Sequence, residues 1–226
     1  MSILLHIDTA VQTASVCLAE NGNPIGLAQN PSQRDHAAWL QAAIADLLRQ
    51  NGLSLKQLGA VAVSAGPGSY TGLRVGMATA KGLCYALDLP LITINTLKMM
   101  AVAALDAEAD LLCPLIDARR MEVFTAVFDK ELNEIIAPYN CILTDSSYKE
   151  LLDKQSIAFF GNGSNKLKEL IKHSNAAFKE VNASAEHMTF LSYRDFQEKK
   201  FADLAYCEPF YGKDFFSPTF KVPERQ

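Results

Sequence analysis

The chain has 226 residues, with 49% hydrophobic and 20% charged residues and a formal net charge of −4. That composition excludes intrinsic disorder and fits one or two ordinary globular domains. No run of Lys and Arg is long enough for a nucleic-acid patch or a membrane-surface anchor, so service to a nucleic acid would run through a partner.

The N-terminal stretch Met1–Ala10 has no basic start and meets Asp8 after a few apolar residues. It reads as a strand over Ile3–Ile7 and not as a signal peptide. No apolar run reaches about 18 residues, the length of a membrane-spanning helix. The expected location is the cytoplasm. A second strand is predicted over Ser15–Glu20, a turn at Asn21-Gly22-Asn23-Pro24 and a third strand over Ile25–Gln29. Asp35 is placed as the N-cap of a helix whose apolar face is Leu40, Ala43, Ile44, Leu47 and Leu48, and Asn51-Gly52 stops it. Ala60–Ser64 is apolar almost throughout, as a central strand should be. A glycine-rich loop, a helix over about Gly72–Leu87, a strand Leu89–Ile94 and a helix Asn95–Leu105 complete a β-β-β-α-β-α-β unit.

Acidic residues at 106, 108 and 110 break the apolar pattern, and the boundary between two lobes is set there: 1–106 and 107–226. The second lobe is predicted to hold strands at Leu111–Ile116, Glu122–Phe128, Leu132–Ala137 and Ser156–Phe160. A turn at Gly161-Asn162-Gly163 then leads to a short helix capped by Ser164, with Leu167, Leu170 and Ile171 inside. The tail reads as less regular, runs to Pro218 and Pro223, and is expected to pack back on the first lobe. The five cysteines are odd in number and form no CxxC, so they read as reduced, small apolar residues.

Four features bear on chemistry. Gly66, Gly68, Ser69 and Thr71 stand between a buried strand and a helix N-terminus, where backbone N–H groups can receive an anion. The spacing is neither that of a Walker A loop nor that of a dinucleotide fingerprint; a tight turn without ligand explains it equally well. Asp8-Thr9 at a strand end can hold a metal–phosphate group or close a turn. Asp117-Ala118-Arg119-Arg120 repeats the strand-then-Asp order in the second lobe, but lacks the glycines of a phosphate loop; its arginines can take an anion or pair with Glu122. The helix over Gly72–Leu87 is apolar nearly all round, with one stripe at Leu73, Met77, Ala80, Cys84 and Leu87 and another at Val75, Ala78, Gly82 and Ala86. The large stripe is expected in the core and the small one toward a partner protein. The four histidines form no HxxxH, since Leu40 stands four residues after His36, and no GxSxG surrounds Ser64 or Ser69.

Ile3–Thr9, Arg34-Asp35-His36, the run Ala65–Gly76 continuing into Ala80-Lys81-Gly82-Leu83, and Asp117–Val123 together resemble the TsaB (YeaZ) family over roughly residues 1–165. Glu208-Pro209-Phe210-Tyr211 resembles its C-terminal ending. The resemblance implies an α/β fold of the actin-like, sugar-kinase-like (ASKHA) kind, with two ribonuclease-H-like lobes, each a mixed sheet flanked by helices. It implies an accessory, scaffold role in making threonylcarbamoyladenosine beside the tRNA anticodon. The chain would be a non-catalytic relative and partner of the catalytic TsaD, with a TsaE-type ATPase joining the complex, tRNA met indirectly, and self-dimerisation as a further state. No cofactor is then tightly bound, ATP or ADP belongs at the partner interface, no metal is held, and Asp8, Thr9, Gly66, Gly68, Ser69 and Thr71 form a degenerate nucleotide site. The partner interface is expected at Val75, Ala78, Lys81, Gly82, Tyr85 and Ala86, with His36 and Leu40. The alternatives are an ATP-dependent phosphotransferase of the same fold and a glycoprotease-like metallopeptidase, the latter short of ligands.

Overall fold

The computed structural model describes residues 2–32 and 36–212. The Asp35 cap, Arg34 and the prolines at 218 and 223 lie outside the described residues.

The first sheet contains β1 (Ile3–Asp8), β2 (Ala14–Glu20), β3 (Asn23–Asn30), β4 (Leu58–Ser64) and β5 (Leu91–Ile94), ordered β3-β2-β1-β4-β5. The β1–β2–β3 meander is antiparallel, and β4 and β5 add in parallel. The second sheet contains β6 (Leu111–Asp117), β7 (Glu122–Phe128), β8 (Glu134–Ile142), β9 (Ile157–Phe160) and β10 (Ala176–Phe178), ordered β10-β9-β6-β7-β8. Read from β8, this is the same topology again: a three-strand antiparallel meander with two parallel strands added beside its first strand. Asp8 and Asp117 close the equivalent strands β1 and β6.

Among the described residues six α-helices accompany the sheets: α1 (His36–Gln50), α2 (Tyr70–Leu87), α3 (Thr96–Val102), α4 (Lys149–Leu152), α5 (Ser164–Leu170) and α6 (Thr189–Gln197). Alternate residues of β1 serve opposite faces, as a pleated strand requires. Ile3, Leu5 and Ile7 meet Leu40, Ile44 and Leu47 of α1 and Met77 and Cys84 of α2 in one core. Leu4 joins a central core shared by both sheets, α3 and α6, with Phe128 and Phe160 contributed from the second sheet. A third core lies on the far face of the second sheet, under α4 and α5.

Several elements differ from the sequence expectation, each for a physical reason. The predicted strand Leu132–Ala137 is displaced to Glu134–Ile142. Leu132 is spent in the turn, at φ +64°, where Asp129 accepts the Asn133 backbone N–H. The strand runs through Pro138 because β8 is an edge strand, and the pairing with β7 is irregular there. Ser164 is the first residue of α5 and not its cap, and its hydroxyl donates to the Gly161 carbonyl. The tail contains α6, which the periodicity did not reveal because Thr189 and Ser192 share its buried face with Leu191. That polar face has a use. Nε2 of the fully buried His6 lies 2.7 Å from Ser192 Oγ, which ties α6 to β1. Burial pushes the His6 imidazole down to about 4, so the ring is neutral at physiological pH.

Two glycines of α2 have opposite surroundings. A Cβ on Gly72 would stand 1.9 Å from the Thr9 carbonyl oxygen, whereas one on Gly82 would meet nothing within 4 Å. Gly72→Ala should therefore destabilise the fold by several kcal/mol, through backbone displacement. Gly82→Ala should stabilise it by about 0.5–1 kcal/mol, the ordinary gain of a helix-interior alanine. Paired thermal or denaturant melts of the two variants check this.

Candidate functional site

Asp8 and Thr9 sit where β1 ends, and both are buried. Asp8 Oδ1 accepts the Ser64 hydroxyl at 2.5 Å and the Ala10 backbone N–H at 3.0 Å. Its other oxygen, Oδ2, is buried without a partner. Burial raises the Asp8 carboxyl to about 6, against the opposing pull of those two hydrogen bonds. Thr9 Oγ1 donates to the Gly72 carbonyl at 2.7 Å, so the hydroxyl is engaged in seating α2.

The glycine loop packs against the same strand end. Ser69 caps α2, its Oγ accepting the Gly72 N–H at 3.2 Å. The Ser69 N–H itself donates to the Ala10 carbonyl at 2.7 Å. A Cβ on Gly68 would lie 2.4 Å from the Ala10 carbonyl oxygen, and one on Gly66 would lie 2.2 Å from the Phe210 carbonyl oxygen. Gly66 also has φ +109°, open to glycine at no cost. Asp8, Thr9, Gly66, Gly68 and Ser69 are thus brought together, but the space beside the glycines is filled by the chain's own carbonyl oxygens. Their partial charge is the wrong sign for a phosphate. Thr71 lies exposed in the first turn of α2.

The second Asp loop closes differently from a phosphate loop. Asp117 Oδ1 accepts Lys166 Nζ at 2.6 Å and the Arg119 N–H at 2.6 Å, and these together with the Arg119 charge hold its carboxyl below the usual range despite the opposing effect of burial. Arg119 and Arg120 take φ +69° and +49° in the hairpin turn between β6 and β7, positions that favour Asn or Gly. The acid pairs with a lysine of α5 that the sequence reading did not connect to it. The turn at 161–163 repeats the packing of the first loop. A Cβ on Gly161 would stand 2.5 Å from the Leu115 carbonyl oxygen of β6.

A cleft of about 670 Å³ opens between the β1–β2 turn and the start of α5, lined by Gln12, Thr13, Asn162, Asn165, Lys168 and Lys179 among others. None of the expected nucleotide-site residues lines it. Among the described residues, no three His, Cys, Asp or Glu side chains gather as a metal site, and no helix is long and apolar enough to cross a membrane.

The outer face of α2 is as the stripe analysis predicts. Leu73, Met77, Ala80 and Cys84 are buried, and Leu87 is half-buried. Ala78, Gly82 and Ala86 are exposed, Val75 is half-buried, and Tyr85 is 84% exposed. Gln41 of α1 reaches Thr79 of α2 at 3.2 Å, so the two helices share one outer surface. Leu40 is a correction. It is fully buried between α1 and the first sheet and cannot contribute to a surface contact. Its apolar i, i+4 relation to Ile44 was the signal that placed it inside. The Lys81 ammonium, expected at the interface, is turned to the chain's own Ala205 and Cys207 carbonyls, at 3.3 and 3.1 Å. His36 opens α1.

The family model described as "TsaD: tRNA N6-adenosine threonylcarbamoyltransferase" matches residues 24–209. The tRNA threonylcarbamoyladenosine biosynthesis protein TsaB of Escherichia coli (strain K12) is 30% identical over 216 residues, 92% of this chain and 93% of the relative. The protein of that name from Bacillus subtilis (strain 168) is 27% identical over 215 residues, with 92% and 93% covered. A crystal structure from Pseudomonas aeruginosa, described as an uncharacterized protein with similarity to peptidase YEAZ, superposes with a TM-score of 0.84 at 24% identity, covering 94% of this chain and all of that one. The fold is a two-lobed α/β architecture, two mixed sheets flanked by helices.

The buried Asp8 sets a pH dependence. Its folded value is raised from 3.8 to about 6, so the native state holds the proton more tightly than the unfolded chain. That contribution is fully present below pH 3.8 and is lost as pH rises through 6, a difference of about 3 kcal/mol at most. Asp8→Asn should remove it. The variant's stability relative to the parent should increase between pH 4 and 7, as read by denaturant midpoints across that range.

Proposed function

This chain belongs to the TsaB family of tRNA threonylcarbamoyladenosine biosynthesis proteins, and we propose that it serves that biosynthesis as a non-catalytic subunit that pairs with and activates a transferase of its own fold. The observation that carries the proposal is the outer face of α1 and α2. There Ala78, Gly82 and Ala86 reach solvent without large side chains, and Tyr85 stands fully out beside them. Small residues at three- and four-residue steps let another helix pair approach closely. The match of this chain to the transferase family model over 24–209 supports a partner of the same fold as the occupant. A partner of the same fold has its own equivalents of α1 and α2, and like faces can meet.

The chain's own would-be nucleotide site supports the accessory part of the reading. The glycine loop is packed by carbonyl oxygens of Thr9, Ala10 and Phe210, and Asp117 is neutralised by Lys166. Catalysis and any nucleotide requirement then belong to the transferase, to its boundary with this chain, and to an associated TsaE-type ATPase in the cytoplasm. The net charge of −4 gives tRNA no electrostatic reason to bind this subunit by itself.

Ala78→Glu should leave the thermal melt of the isolated chain nearly unchanged, because residue 78 is exposed. Pairing with the same organism's TsaD-type transferase, followed by calorimetry, should weaken by several kcal/mol at most, because the carboxylate would be desolvated. Modification of tRNA should fall with it; unchanged pairing would place the interface elsewhere. A companion measurement is ATP hydrolysis by the isolated chain, expected far below about 1 per second, the low end of ordinary enzyme turnover.

A further inference from the structure

Three residues of α2 are committed to one segment near the chain's end. Tyr70, Arg74 and Lys81 lie within about 40° of one another around the helix axis. The Arg74 guanidinium carbon sits 3.9 Å over the Tyr70 ring, and its Nε donates to the Tyr211 hydroxyl at 3.2 Å. The Tyr70 and Tyr211 rings are 4.9 Å apart. Lys81 holds the carbonyls of Ala205 and Cys207, as described above. The Phe210 N–H donates to the Ala65 carbonyl at 2.7 Å, and the Ala202 N–H to the Leu91 carbonyl at 2.8 Å. Residues 202–211 are therefore a strap, tied down from β5 across α2 to the glycine loop.

The middle of the strap carries Tyr206, which is 84% exposed, the same as Tyr85. The backbone beneath it is fixed. Lys81 clamps the carbonyls on either side, and the Tyr206 N–H donates to Asp203 Oδ1 at 3.1 Å. Lys81 lies one helical turn before Tyr85. A large amphipathic ring is thus held out in water on a segment tied to α2, the helix that also carries the exposed Tyr85. Tyrosines on a fixed backbone offer contact area with little conformational entropy left to lose, the property of interface anchors.

We propose that the strap is the second wall of the face that receives the transferase-type partner, with Tyr206 and Tyr85 as its anchor pair. The inference rests on the docking face assigned to α1 and α2 above. Two helix pairs meeting across Ala78 and Gly82 touch closely along their centre and leave the rim to be covered. The strap stands at that rim. Its ties also give Arg74 and Lys81 a role on an otherwise largely apolar helix.

The test uses the full chain and the same organism's TsaD-type transferase, with calorimetry for pairing and thermal melts for folding. Tyr206→Ala and Tyr85→Ala should each weaken pairing about tenfold and leave the melt unchanged, since both rings are in solvent. Lys81→Met loosens the strap without touching either ring. It should weaken pairing similarly and make the strap sensitive to limited proteolysis near Tyr206. If Tyr206→Ala and Lys81→Met pair like the parent while Ala78→Glu does not, the strap lies outside the interface and this inference fails, with the α1–α2 reading intact. If Ala78→Glu also pairs normally, the docking face itself is wrong. Loss of self-association alone, with transferase pairing unchanged, would assign the tyrosines to a second copy of this chain and overturn the proposal.

Discussion

The helix that carries the outer face can lie against the first sheet only because residue 72 has no side chain. With Thr9's carbonyl oxygen 1.9 Å from where a Cβ would stand, any other residue would push the start of α2 away from β1. Thr9 Oγ1, donating to the Gly72 carbonyl, and Ser69, capping the helix, fasten the same point. Everything farther along α2 follows from that seat. Leu73, Met77 and Cys84 drop into the core, and the small residues one step round the helix are left facing water. The second sheet uses the same device where Gly161 meets the Leu115 carbonyl. The repeated strand order is thus accompanied by a repeated close approach of backbone to backbone.

This seating has an electrostatic consequence. A phosphate loop presents N–H groups to an open space, and close backbone approach is what glycine permits there. Here the glycines permit approach too, but what approaches is the chain itself, carbonyl first. Asp8, left beside this arrangement with one oxygen unpaired, is desolvated rather than matched by a cation, which is why its carboxyl rises instead of falling. In the second lobe the equivalent acid goes the other way because Lys166 reaches it. Two strand-end aspartates in one topology thus have opposite environments.

The end of the chain joins distant parts of the fold. His6 and Ser192 connect the first strand to α6 across 186 residues of sequence. The strap then continues over α2 to the glycine loop, where the Phe210 carbonyl occupies the space that Gly66 leaves. A segment with little periodicity of its own is held by side chains spaced along a helix that formed for other reasons.

Hydrophobic periodicity by itself determined the elements with one apolar face. The core residues of α1 and α2, the continuous apolar run of β4 and the meander of the first sheet are all legible because burial and period coincide there. The glycine loop, the strand-end acids and the two stripes of α2 were equally visible as residue types at a spacing. What fills a loop, and what faces an acid, is not a property of spacing. Thr9, Ala10 and Phe210 arrive beside the glycines from far away in sequence, and Lys166 reaches Asp117 from another element, so this packing is visible only in the tertiary structure. The same holds for α6, whose buried Ser192 meets a histidine of β1, and for β8, where a proline is tolerated because the strand is at the sheet's edge. Local pattern reports which side chains avoid water; which partner relieves each remaining polar group depends on contacts that close only when the whole chain has folded.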